Sequence, residues 1–169
     1  WVKLARAAGV LAETNIYFDD TSNISVTGMK AKLRRVKNLG LVIIDYLQLM
    51  QSDRKTENRV QEVSDISRGL KLMAKEFEVP VITCAQLSRS SEKENKRPVL
   101  SDLRDSGAIE QDADTVMFLT RDYYKGDPEK ENIADCIIAK NRHGATGTAT
   151  LGWYGQFTKF ITIDKEHES

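Results

Sequence analysis

Asp45 follows four large apolar residues, Leu41-Val42-Ile43-Ile44. A carboxylate at the end of such a run can accept hydrogen bonds from the water shell of a magnesium ion. The same acid could cap the turn that follows, the more ordinary use of a strand-end Asp. Gln86 stands just beyond a second apolar run, in "VPVITCAQLSR". Its amide can donate to a phosphate oxygen or orient water without adding a fixed charge, or it can simply be satisfied at a strand end. Lys140 and Arg142 close a third run before Gly144, in "IIAKNRHG". Two residues apart on a strand, both cations can project to one side, where the planar fork of Arg suits pairs of oxygens; a solvated hairpin end is the plainer alternative. His143 beside them has no partner legible in the sequence.

Such residues need a frame that gathers strand ends. "LVIID" and "VPVITCA" are continuously apolar, as parallel strands covered on both faces would be. Between them, from Glu57 to Glu78, Val60, Val63, Ile66, Leu70, Met73, Ala74 and Phe77 recur at the spacing of an amphipathic helix. "WVKLARAAGVLAE" reads as a first helix, "NIYFDD" as a short strand, and "SVTGMKAKLRRVKNLG" as a helix stopped by Gly40, its basic "KAKLRRVK" a solvated face. A polar stretch holds one short helix around 108–113. The strand "TVMFLT" follows, then "IADCIIAK", "GTATLGWY" and "FTKFITI", whose short Gly-containing connections suit antiparallel hairpins. The pattern predicts an α/β fold in one domain, residues 1–169, with a mainly parallel sheet flanked by helices and extended by an antiparallel edge.

Charge does not advertise a partner: 25 Lys and Arg balance 25 Asp and Glu, so contact with a polyanion would have to come from local clusters. Cys84 and Cys136 sit in apolar runs without metal-ligand spacing and read as reduced, buried packing residues of a cytoplasmic protein. No apolar stretch approaches the roughly 20 residues that span a bilayer, so no membrane role is expected. The chain opens on Trp1 inside a helical pattern and reads as a piece of a longer protein.

Taken in order, "LVIIDYLQLM", "ENRVQEVSDISRGLKLMAKE", "VPVITCAQLSRS", "LSDLRDSGAIEQDADTVMFLTRDYY" and "IIAKNRHGATGTATL" resemble the C-terminal motor domain of bacterial replicative DNA helicases, the DnaB family, from about Ile16 to Ile163. The resemblance implies a RecA-like P-loop NTPase core that uses ATP and magnesium. It implies a homo-hexameric ring around single-stranded DNA, hydrolysis at subunit boundaries, and a primase and a helicase loader as partners near the bacterial nucleoid. It assigns Asp45 to magnesium and Gln86 to sensing the terminal phosphate. Lys140 and Arg142 would reach a neighbouring subunit's nucleotide, the arginine as a finger on developing charge. In "LRDSG", Arg104, Asp105 and Gly107 would hold the DNA backbone, chiefly through main-chain N–H groups. Arg54, Lys55 and Arg59 in "QSDRKTENR" resemble a second central loop, with an ordinary charged loop as the alternative.

One part of the pattern is missing. Phosphate loops of this class end in Gly-Lys-Ser or Gly-Lys-Thr, and none of the ten glycines here is followed by lysine. The N-terminal strand, that loop and the general-base glutamate are therefore expected upstream of Trp1, and the isolated chain is expected to be inactive. Glu110 reads as a helix-terminal acid or local ion pair, not a substitute base. The alternatives are a RecA-type recombinase, a phage or mitochondrial ring helicase, or a non-catalytic DNA-binding or scaffold module that has lost its loop.

Overall fold

The computed structural model describes residues 1–54, 56, 58–87, 97–121 and 130–163, and of residues 104–106 the backbone alone. Helix α1 (Val2–Ala12) buries none of its residues. The segment after it is not the strand expected of "NIYFDD": residues 15–20 are exposed and carry no regular structure, and no described strand pairs with them. Without a ladder partner a segment gains no sheet bonds. Asp19 instead turns to Lys32, whose Nζ donates to its carboxylate oxygens at 2.7 and 2.8 Å.

Helix α2 (Val26–Leu33) starts where the Ser25 hydroxyl accepts from the Gly28 N–H at 3.2 Å. It is shorter than expected, dissolving into turns after Leu33, with Asn38 at φ 54° before Gly40 is reached. Helix α3 (Arg59–Phe77) follows its sequence pattern closely. Asn58 caps the first turn by accepting from Val60 and Gln61, and Val63, Ile66, Leu70 and Met73 are buried. Glu78 ends it in the left-handed region, φ 54°, before Pro80. Where α2 crosses α3, a Cβ on Gly69 would stand 3.1 Å from Val26, so only glycine allows this approach without a shift.

Strands β1 (Val42–Ile44) and β2 (Val81–Thr83) pair in parallel, Ile43 opposite Ile82. Strands β3 (Thr115–Thr120), β4 (Ile133–Asn141), β5 (Gly147–Tyr154) and β6 (Lys159–Thr162) form a separate antiparallel sheet in that order. Among the described strands antiparallel pairing thus outweighs parallel, the reverse of the expected balance. The connections explain it: α3 is the one crossover that returns a described strand parallel to its partner, whereas β4 to β6 follow one another as hairpins. The parallel pair is also not covered on both faces. Val42 and Ile44 are buried while Ile43 is 64% exposed and Ile82 46%.

The core lies where α3 meets β1, the 3-10 segment Leu100–Ser106, helix α4 (Gly107–Asp112) and β3, with Leu47, Ile66 and Met73 its most enclosed side chains. Neither cysteine belongs to it. Cys84 is exposed and Cys136 half-buried, because each falls on the uncovered face of its strand or just past its end.

Candidate functional site

Parallel pairing brings the carboxyl ends of β1 and β2 to one edge, the place where open α/β sheets bind ligands. The ladder continues past the strands: Cys84 N–H donates to the Ile44 carbonyl and Leu47 N–H to the Cys84 carbonyl, both at 2.9 Å. Asp45 leaves β1 at this edge. It is exposed, and among the described residues no donor meets its carboxylate. The cost of a buried charge that its apolar setting suggests does not arise, and neither does the capping alternative, since the 3-10 turn Leu47–Leu49 has no side-chain cap.

Gln86 lies on the same edge with its side chain exposed. Its main chain is held from the β1 side: the Gln48 amide nitrogen donates to the Gln86 carbonyl at 3.1 Å, and the Gln48 Oε1 accepts from the Gln86 N–H at 3.2 Å. Sequence reasoning missed Gln48. Its signal was an amide set among apolar neighbours in "DYLQLM".

Arg59 is drawn into this arrangement from the first turn of α3. Its guanidinium donates to Glu62 at 2.5 Å and to the Gln48 carbonyl at 2.8 Å. Glu62 in turn accepts from the Ser52 N–H at 3.4 Å. Arg54 is exposed, its N–H donating to the Ser52 hydroxyl; Lys55 lies outside the described residues.

Lys140 and Arg142 form a second cluster. A bulge in β4 leaves Ala139 unpaired between Ile138 opposite Met117 and Lys140 opposite Val116, and a bulge re-aims the side chains beside it. Both cations meet the C-terminus of α4. Lys140 Nζ donates to the Glu110 carbonyl at 2.5 Å, and Arg142 Nη2 to the Gln111 carbonyl at 3.1 Å. Cations belong there, because the last carbonyls of a helix carry partial negative charge. Glu110 contributes its main-chain oxygen, not an acid.

Asp114, just past α4, joins this cluster to α3. Its carboxylate accepts from Lys71, and its other oxygen lies 3.6 Å from Arg142. The Lys71 hydrogen bond, with the charges of Lys71, Arg142 and His143, holds this carboxyl below its usual range against a smaller opposing effect of burial. Ser67 on α3 donates to Asp112 at 2.9 Å. The polar run "EQDAD" is thus the seam between α3, α4 and β4.

Arg104 and Asp105 fall in the 3-10 segment that leads into Gly107, the first residue of α4. Gly107 has φ −50°, and a Cβ there would meet nothing within 4 Å. Neither backbone strain nor packing requires glycine there. The described contacts do not bring Lys140 and Arg142 to Asp45 and Gln86.

Among the described residues no three His, Cys, Asp or Glu side chains gather to hold a metal ion. A lone exposed carboxylate suits an ion bound through its water shell and by phosphates, as magnesium is. No described helix is long and apolar enough to cross a membrane.

Residues 1–162 match the family model for the DnaB-like helicase C terminal domain. The chain is 52% identical to the replicative DNA helicase DnaB of Geobacillus stearothermophilus, the match covering 99% of this chain and 38% of that protein. It is 49% identical to the replicative DNA helicase DnaC of Bacillus subtilis, again over 99% of the chain and 38% of the relative. Among solved structures, the ATPase domain of G40P superposes with a TM-score of 0.91 at 43% identity, over 97% of this chain and 60% of that one. A DnaB-like replicative helicase, described together with its interactions with primase, superposes with a TM-score of 0.90 at 43% identity, over 97% and 42%.

Proposed function

The chain belongs to the DnaB-like helicase C-terminal domain family, and from that premise we propose that it supplies part of the nucleotide site, the trans-acting cations and a DNA-contacting segment of a hexameric, ATP-driven replicative helicase. It spans about 38% of the length of the replicative helicases it resembles, so the activity is that of the longer protein. The observation that carries the reading is the free carboxylate of Asp45 beside Gln86, on the shared edge of a parallel pair.

Each residue has a task its surroundings permit. Asp45 accepts hydrogen bonds from the water shell of the magnesium ion, which when bound neutralises phosphate charge. Gln86 donates its amide to the terminal phosphate. Lys140 and Arg142, with no described contact to Asp45 or Gln86, serve the site of an adjacent subunit, where Arg142 stabilises charge that grows in the transition state. Arg104, Asp105 and Gly107 meet single-stranded DNA, helped by Arg54, Lys55 and Arg59; a few contacts per subunit repeated round a ring give avidity to an otherwise neutral chain. A primase and a loader are the protein partners of this reading.

Subunit mixing tests it. In the longer protein, Asp45→Asn and Arg142→Ala should each lower kcat for ATP hydrolysis about a thousandfold, the scale of an arginine finger, while Arg142→Ala leaves nucleotide binding intact. Hexamers mixed from the two variants should regain measurable hydrolysis, because some interfaces then pair an intact Asp45 with an intact Arg142. Mixed rings as inactive as either parent would overturn the trans assignment.

A further inference from the structure

We propose that Gln48 is a positioning residue for hydrolysis: its amide fixes the main chain of Gln86 relative to Asp45, and its own carbonyl ties that unit to the start of α3 through Arg59. The inference rests on the reading of Asp45 and Gln86 as nucleotide-facing residues.

The geometry is specific to an amide. Gln48 donates to the Gln86 carbonyl and accepts from the Gln86 N–H, at 3.1 and 3.2 Å, so one planar group answers both main-chain groups of one residue. A carboxylate of the same shape could accept but not donate, and would face the Gln86 carbonyl with like charge. A thioether could do neither usefully. The Gln86 side chain has no described partner, so its direction is set by its main chain, and Gln48 grips that main chain.

Gln48 also joins the Gln86 segment to the start of α3 by side-chain and main-chain hydrogen bonds. It sits in the 3-10 turn Leu47–Leu49, three residues after Asp45. Its carbonyl accepts from Arg59, which is paired to Glu62, and Glu62 holds the Ser52 N–H. A shift of Gln86 on gaining or losing a phosphate contact therefore reaches Ser52, beside the basic segment at Arg54, through Gln48, Arg59 and Glu62 instead of through solvent. Networks of this kind carry coupling only when an element they join has two arrangements, and a residue that senses a removable phosphate has two.

The test uses the longer helicase with Gln48→Glu and Gln48→Met. Both should lower kcat for DNA-stimulated ATP hydrolysis at least tenfold, with KM for ATP within about twofold and the unfolding midpoint within a few degrees, since the contact is near the surface. The decisive measurement is a double-mutant cycle with Gln86→Ala. If Gln48 acts through Gln86, Gln48→Met costs little more once Gln86 is already truncated. An unchanged kcat in both Gln48 variants overturns the inference, as does a loss that multiplies in full on the Gln86→Ala background or tracks a fall in the unfolding midpoint. Normal hydrolysis by Gln86→Ala alone would instead overturn the underlying nucleotide-site reading, which separates the two failures.

Discussion

At Asp114 a carboxylate is held from two sides, by Lys71 on α3 and by Arg142 at the end of β4. Its folded-state pKa is lowered, as are those of Glu76, paired with Lys30 and Arg34, and Asp19, brought to about 2 chiefly by Lys32. A depressed carboxyl releases its proton more readily folded than unfolded. Its contribution is therefore complete above the unfolded values of 3.8 for Asp and 4.5 for Glu, and drains away as pH falls towards the folded ones. Thermal unfolding midpoints should fall as pH drops from about 5 to about 2, and Asp114→Asn should flatten part of that slope by lowering the midpoint at neutral pH while changing little near pH 2. At this scale the sequence was partly legible. Asp45 and Gln86 stood out because a polar residue after an apolar run marks a strand end. Gln48 did not, because its function depends on a partner 38 positions away. Cys84 misled for a related reason: an apolar neighbourhood in sequence says nothing of which face a residue takes.

Among the elements, α3 is the one whose stability can be tuned from its ends. Asn58→Ala removes the acceptor for the Val60 and Gln61 N–H groups and should cost about 1 kcal/mol. Glu78 sits at φ 54°, a conformation that glycine adopts freely, so Glu78→Gly should stabilise the helix end by about 0.5 kcal/mol. Urea unfolding of both variants checks the pair, and opposite signs are the expected result. The sequence displayed α3 almost whole, because its apolar residues recur over five turns and no other period fits them. It displayed "NIYFDD" wrongly. A short apolar run promises a strand only when a neighbour offers its backbone, and that information is not local.

Over the whole molecule, one consequence of two separate sheets is an apolar pair left open: Ile43 and Ile82, opposite each other, are 64% and 46% exposed. Such a surface should bind a hydrophobic dye in the native chain, and Ile43→Thr with Ile82→Thr should cut that fluorescence severalfold while the unfolding midpoint changes little. The expected α/β character and the antiparallel end were legible from apolar runs and turn spacing; the division into two sheets was not, since the strand that fails to pair with its neighbour looks no different in sequence from one that does. The docking of Lys140 and Arg142 on α4 bears on the molecule at the same scale. Neither cation is idle: reaching another subunit means releasing the Glu110 and Gln111 carbonyls and the Asp114 carboxylate. On the proposed reading, only an anion of higher charge density than a helix end would draw them away, so a triphosphate would recruit them and a stray chloride would not. A ring assembled from such chains would carry a built-in firing threshold, silent at empty or spent interfaces and responsive where fuel is present.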